Sequence, residues 1–320
     1  MRYRSVGSSG LRVSVVGLGC HNIGTRVGLD GTRALVEAAL DVGVTLFDTA
    51  DQYGGAGGSE TLLGHVLRSR RDDVVIATKF GKDMGETYGR DHGARASRHY
   101  IRRAVEGSLR RLRTDYIDLY QLHAADPFTP IQETLEALTE LVREGKIRYI
   151  GSSNLGAWEI ADADWTARAN HTTRFVSAQN RYSLLERGIE ADIVPAARRY
   201  GIGIIPYFPL ARGLLAGRYD RDDIPPPGSR LAGRRDEFTD VDFDRLDALE
   251  DFARERGRSL LDVAIGGLAA QPAVASVIAG ANTPEQIRAN AAAGEWRPGA
   301  DDLAVLDKIA PARHPAPPPQ

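Results

Sequence analysis

Asp48, Tyr53, Lys79 and His123 are the residues whose types and placement could do chemistry. Three of them end short apolar runs: residues 45–47 stop at Asp48, residues 74–78 at Lys79, and residues 116–122 at His123. A charge at the tip of an apolar strand is costly unless it has a partner or a task. Tyr53 lies just beyond Asp48. An unperturbed phenol, with a pKa near 10, is a poor general acid at neutral pH. A neighbouring ammonium favours phenolate, and a drop of about three units needs roughly 4 kcal/mol of differential stabilisation. Lys79, itself held by Asp48, is placed to supply much of that. A histidine can donate to a carbonyl oxygen and complete an oxyanion site with Tyr53. Such a set moves a proton at an oxygen attached to carbon. One His with one Asp is too small a set for zinc, so no metal is expected. The set also lacks a hydride source, so redox chemistry there requires a nicotinamide cofactor.

The elements that must position these groups alternate along the chain. Runs 3–6 and 11–14, split by Gly-Ser-Ser-Gly, predict a β-hairpin. Strands are expected at 15–19, 44–47, 74–78, 116–122, 147–151, 175–178, 202–206 and 273–278, with helical periodicity between them. Asp30 or Thr32 is a candidate cap for the first helix, and Pro195 a possible kink in a helix over 188–199. A long loop, 208–239, holds Pro225, Pro226, Pro227 and Gly228, and helices at 243–256, 259–270, 284–292 and 303–310 precede a Pro-rich, frayed tail at 311–320. This predicts one domain over 1–320, a (β/α)8 TIM barrel with a short N-terminal hairpin and an extra C-terminal helix. A doubly wound sheet is the alternative. Its glycine fingerprint is incomplete here: after Gly17-Leu-Gly19 the third glycine is displaced to Gly24. In a barrel, Asp48, Lys79 and His123 fall at the C-terminal ends of adjacent strands. Period two then puts Lys79 on one face with Ala77 and Val75, and His123 with Gln121 and Leu119.

Composition sets the class. The 320 residues are 42% hydrophobic and 26% charged, with net charge −2, ample for a folded core and too balanced for a nucleic-acid binder. The Arg-rich stretch 102–113 reads as a solvated helix face. No apolar run is long enough to span a membrane, and residues 1–10 hold no signal-peptide core. Cys20 is the single cysteine, which excludes an intrachain disulfide and fits a reducing cytoplasm. Neither nucleic acid nor membrane is an expected partner, and oligomeric state is not legible.

Several ordered segments resemble the aldo-keto reductase family over nearly the whole chain. They are Leu46-Phe-Asp-Thr-Ala-Asp-Gln-Tyr53, Ala77-Thr-Lys-Phe80, Arg113-Thr-Asp-Tyr-Ile-Asp-Leu-Tyr-Gln-Leu-His123 and Lys146-Ile-Arg-Tyr-Ile-Gly-Ser-Ser-Asn154. Gln179-Asn180, Pro206-Tyr-Phe-Pro-Leu-Ala211 and Ile278-Ala-Gly-Ala-Asn-Thr-Pro-Glu-Gln286 with Asn290 follow. The resemblance implies reduction of a small-molecule aldehyde or ketone by NAD(P)H. Tyr53 would be the acid, Lys79 its tuning partner, Asp48 the support, and His123 the substrate-orienting donor. By similarity, Ser153, Asn154 and Gln179 would hold the carboxamide and Tyr207 would stack on the nicotinamide. Phe208, Pro209, Leu210 and Arg212 would follow the pyrophosphate, and Gly280, Asn282, Thr283, Gln286 and Asn290 would meet the adenosine half. Many relatives place lysine and arginine around the 2′-phosphate where this chain has Gly280 and Gln286; the resemblance still favours NADP(H) by family habit, while NAD(H) stays open. Ile23, Tyr88 and Phe128 are candidate apolar walls for the substrate. Two other readings stay open: a slow-turnover, cofactor-binding redox sensor, and an aldolase using Lys79 as a Schiff base.

Overall fold

The computed structural model describes residues 1–219, 221, 232, 238 and 241–312. Most of the expected 208–239 loop beyond Tyr219, including Pro225–Pro227 and Gly228, and most of the expected tail lie outside the described residues.

Eight parallel strands form one curled sheet. They are β3 (Val16–Gly19), β4 (Leu46–Asp48), β5 (Val75–Phe80), β6 (Ile117–Leu122), β7 (Ile147–Ser153), β8 (Ser177–Gln179), β9 (Gly203–Ile204) and β10 (Val277–Gly280). Their order is β10-β3-β4-β5-β6-β7-β8-β9. The two edges meet through a parallel bridge between Ile204 and Val274, where Ile204 N–H donates to Ala273 O (2.7 Å) and Ala275 N–H to Ile204 O (2.8 Å). This closes the eight-stranded ring, as a (β/α)8 barrel requires. Several outer helices are amphipathic. Helix Ile131–Arg143, for example, buries Leu135, Leu138 and Leu141 against the strands.

The hairpin of β1 (Tyr3–Ser5) and β2 (Arg12–Ser14) plugs the N-terminal end of the barrel. Val6, Leu11 and Val13 from it pack with the inward-facing Leu46, Ala77, Leu119 and Ile205. Burying each such side chain stabilises by about 1.5–3 kcal/mol relative to exposure. The inward set confirms the expected strand parity, because Val75 and Ala77 point to this core four and two residues before Lys79. Gly17 and Gly19 belong to the same interior. A Cβ at Gly17 would lie 3.1 Å from Leu46 Cδ2, and one at Gly19 2.9 Å from Ile278 Cγ2. Their pairing therefore reflects interior crowding and not a dinucleotide fingerprint.

Several local expectations are corrected. Lys79 is not a strand tip: β5 runs on to Phe80, and the charge is tolerated mid-strand because it is paired. The first helix, Leu29–Asp41, is entered from Gly28, not capped by Asp30 or Thr32; Thr32 Oγ1 donates back to Gly28 O (2.8 Å). The expected helix 188–199 is a short turn, Gly188–Glu190, followed by helix Ile193–Tyr200 capped by Asp192. Pro195 falls in that helix's first turn, where its missing N–H costs nothing and no kink follows. The Arg-rich helix Arg98–Leu112 spends its charges on neighbours: Arg102 reaches Glu140 (2.7 Å) and Glu144 (2.8 Å), and Arg111 reaches Glu60 (2.7 Å). Two helices decorate the barrel beyond the repeat, Phe243–Glu255 and Ala300–Ile309, joined by Arg256 and Asp302 (2.6 Å).

Candidate active site

Adjacent strands deliver the four residues to one end of the barrel. Lys79 is fully buried and donates to both carboxylate oxygens of Asp48 and to Thr49 O, each at 2.8 Å. These acceptors, together with a hydrogen bond to the Tyr53 hydroxyl, satisfy the ammonium donors. Burial works to lower the Lys79 pKa, but Asp48 and then Tyr53 oppose it, and the balance lies above the ordinary value. Lys79 is therefore a fixed cation, not a free amine. That argues against the Schiff-base reading, which needs a lysine readily deprotonated.

Tyr53 opens a short turn, Tyr53–Ala56, kept tight by Gly54 and Gly55 at φ +73°. At Gly54 a Cβ would come within 2.5 Å of Ser59 N, so the turn requires glycine. Lys79 Nζ stands 5.0 Å from the Tyr53 ring centroid. The expected pull of Lys79 on the phenol is present, yet burial outweighs it and the Tyr53 pKa lies above its ordinary value. Tyr53 is thus held protonated, loaded as a donor.

His123 meets Tyr53 edge-on, with centroids 5.9 Å apart. Burial, then Lys79 and Lys82, hold its pKa down to about 2, so the imidazole is neutral through the physiological range. Its Nδ1 is buried without a hydrogen-bond partner among the described residues. Leaving an acceptor unpaired is the lesser cost, which favours the tautomer with Nε2–H facing the cavity.

A cavity of about 450 Å³ lies in front of these groups, within the range of small-molecule sites. Its wall includes Asp48, Tyr53, His123, Ser153, Asn154, Gln179, Tyr207, Phe208, Pro209, Leu210, Arg212, Gly280, Asn282 and Gln286. Thr283 and Asn290 are not on that wall. Thr283 Oγ1 accepts from Gln286 N–H at a helix start (3.4 Å), and Asn290 is buried with Nδ2 unpaired.

The wall is cross-linked in ways that spacing did not reveal. Gln179 Nε2 donates to Asp48 Oδ1 (2.8 Å), tying β8 to the Lys79 pair across the ring. Asn154, at φ +59°, donates through Nδ2 to His123 O (2.9 Å) and accepts from Tyr207 Oη (2.7 Å). Phe208, Ala211 and Arg212 also have positive φ. Each non-glycine residue so held costs about 1–3 kcal/mol, and such strain clusters at ligand loops. His21 (4.8 Å edge-on to Tyr53), Asn22, Arg26 and Lys82 also line the wall; Lys82 was missed, because it follows β5 as an ordinary loop residue. Asn22 Nδ2 donates to Asn282 Oδ1 (2.7 Å), linking the loop after β3 to the one after β10.

The candidate apolar walls are corrected. Ile23 and Tyr88 are buried elsewhere, Tyr88 against Tyr100 and Arg111, and Phe128 is exposed over Gly93. Cys20 is buried, and burial pushes its thiol far up, so it is not poised for redox chemistry.

A family model described as the aldo/keto reductase family matches residues 15–311. The chain belongs to the aldo/keto reductase family. An aldo-keto reductase of Bacillus subtilis, YhdN, is 35% identical over 97% of this chain and 93% of its own length. An L-glyceraldehyde 3-phosphate reductase of Escherichia coli is 33% identical over 91% of this chain and 86% of its own. A probable voltage-gated potassium channel subunit beta of Oryza sativa is 34% identical over 91% and 90%. This aldo/keto reductase is accordingly an oxidoreductase acting with a nicotinamide cofactor, NAD(P)H. Among the described residues, no helix is long and apolar enough to cross a membrane.

A second buried cluster lies behind the Tyr53 turn. Asp51 is fully buried and has no ion-pair partner among the described residues; hydrogen bonding from Gln52 N–H and the Tyr88 hydroxyl only partly offsets its burial. Burial, reinforced by Glu60, pushes its pKa up to about 8 from 3.8. The folded protein thus keeps a proton that the unfolded chain loses, and stability falls as pH rises from about 4 to about 8, then levels off. Asp51→Asn, which mimics the neutral acid, is expected to raise the urea midpoint at pH 8 more than at pH 5. Equal gains at the two pH values would show that Asp51 is not carried as the acid.

Proposed function

We propose that this enzyme reduces an aldehyde or ketone to an alcohol, with hydride supplied by NADPH and a proton supplied by Tyr53. The observation that carries the reading is the coupled geometry of a buried Asp48–Lys79 pair, a protonated Tyr53 beside it, and a neutral His123 edge-on to the same ring. The cofactor, when bound, supplies the hydride that none of these side chains can. The chain's residues fit it: the strained Phe208–Arg212 backbone lines the cavity, and Gly280 has open space where a side chain would intrude.

Ser153, Asn154 and Gln179 would hold the carboxamide, Tyr207 would stack on the nicotinamide, and Phe208, Pro209, Leu210 and Arg212 would take the pyrophosphate. Gly280, Asn282 and Gln286 would meet the adenosine half, with Thr283 and Asn290 behind the wall supporting the helix that carries Gln286. Gln286 Oε1 accepts from Asn282 N–H (2.8 Å), which leaves its amide nitrogen as a donor beside the helix start at Pro284. That donor set favours NADP(H) without the cationic pair seen in many relatives.

His123 orients the substrate by donating Nε2–H to the carbonyl oxygen. Tyr53 passes its proton to the same oxygen as charge develops there. Lys79 stabilises the phenolate left behind, and Asp48 with Gln179 keeps Lys79 in place. A single cysteine, Cys20, fits a reducing cytoplasm as the compartment of this carbonyl reductase. NADPH and NADH oxidation across aldehydes, ketones and sugars tests this reading. Turnover with NADPH faster than with NADH supports it; tight cofactor binding without turnover of any carbonyl would move the protein to the redox-sensor reading.

A further inference from the structure

The cavity wall carries an unequal charge. Among the described residues its ionised side chains are Arg26, Lys82, Arg212, Arg218 and a single carboxylate, Asp48, already engaged by Lys79. A dinucleotide diphosphate accounts for cations near its own segments, but the ring order separates Lys82 from them. The residues assigned to the cofactor follow β7, β8, β9 and β10, and Arg212 and Arg218 follow β9. Lys82 follows β5, which stands opposite β9 in the closed ring. Tyr53 and His123 follow the strands on either side of β5. Lys82 therefore lies on the reacting side of the cavity, across it from the loop assigned to the diphosphate.

Its position is built. Gly81 turns the chain at φ +103°, and a Cβ there would meet Leu122 at 3.2 Å. Tyr100 Oη donates to Lys82 O (2.9 Å) and pins the backbone. The neighbouring carboxylate is turned away: Asp83 pairs with Arg95 (2.8 Å) and accepts from Gly85 N–H (2.8 Å). Among the described residues no carboxylate forms an ion pair with Lys82. Its charge reaches the reacting centre, because it is the next influence after burial and Lys79 that keeps His123 neutral.

We propose that Lys82 anchors an anionic group of the substrate, so that the preferred carbonyl compound carries a phosphate or a carboxylate. The inference rests on the carbonyl-reductase reading above and names the substrate class for that site. A charged partner on the reacting side fixes the carbonyl between Tyr53 and His123 by a charge-assisted contact several bonds away.

Two matched pairs test it: glyceraldehyde 3-phosphate against glyceraldehyde, and succinic semialdehyde against butanal. The readout is the ratio of kcat/KM within each pair. The wild-type enzyme is expected to favour the anionic member by roughly ten-fold or more, a charge-assisted hydrogen bond's worth. Lys82→Met is expected to bring the ratio near one, mainly through KM, and Lys82→Arg to restore most of it. Added salt is expected to narrow the wild-type ratio. A preference in one pair alone identifies the anion as phosphate or carboxylate. A wild-type ratio near one, or a ratio equally large in Lys82→Met, overturns the inference while neutral aldehydes still turn over. If no carbonyl compound is reduced at all, the carbonyl-reductase reading itself fails and the inference falls with it.

Discussion

Tyr53→Phe is expected to lower kcat for carbonyl reduction by about two to four orders of magnitude, the typical contribution of a positioned general acid, with cofactor affinity nearly unchanged. The substitution removes one oxygen and keeps the ring, so the edge contacts with His21 (4.8 Å) and His123 (5.9 Å) survive. The tight turn set by Gly54 and Gly55 survives as well. What is lost is the proton donor and its hydrogen bond with Lys79. Burial holds Tyr53 above its ordinary pKa while Lys79 pulls the other way, so the residue is protonated through the neutral range and its reduction activity should fall only on the alkaline side. Stopped-flow reduction with saturating NADPH, alongside quenching of protein fluorescence by the cofactor, separates chemistry from binding. Near-wild-type turnover in Tyr53→Phe would remove Tyr53 as the acid.

Lys79→Met has the second largest expected effect, because it strikes fold and chemistry together. Lys79 occupies both Asp48 oxygens, so its loss leaves a buried carboxylate with only Gln179 as a side-chain partner. Breaking one side of a buried pair costs about 3–5 kcal/mol of stability. It also removes the cation that stabilises a developing phenolate, and the alkaline limb of the pH–rate profile is expected to move to higher pH. A neutral double variant, Asp48→Asn with Lys79→Met, separates the two. It is expected to regain stability in urea denaturation without regaining turnover. Recovery of turnover in the double variant would reduce the pair to a structural role.

The barrel and the tetrad were legible because strand parity and strand order are written in local patterns. Val75, Ala77 and Lys79 alternate inward, and adjacent strands converge at one end whatever the loop lengths between them. Strand ends were less legible. The expected strand 202–206 has only Gly203–Ile204 in the ladder, since Pro206 has no N–H to donate. Cross-ring contacts were not legible at all. Gln179 reaches Asp48 from 131 positions away, and nothing in either segment marks the meeting. The apolar walls failed for a related reason: Tyr88 satisfies its hydroxyl with Arg111 (2.7 Å), and that partner draws the ring behind the site. Asp51 looked like one more polar residue in a motif, because burial without an ion-pair partner among the described residues is a property of the packed state alone.

Transfer of label tests the central claim most directly. The enzyme is given 4-nitrobenzaldehyde and NADPH deuterated at both C4 positions, and the alcohol is analysed by mass spectrometry and NMR. One deuterium on the carbinol carbon, with label transfer largely lost in Tyr53→Phe, is the predicted result. Alcohol without deuterium at that carbon, or label transfer undiminished in Tyr53→Phe, would contradict it.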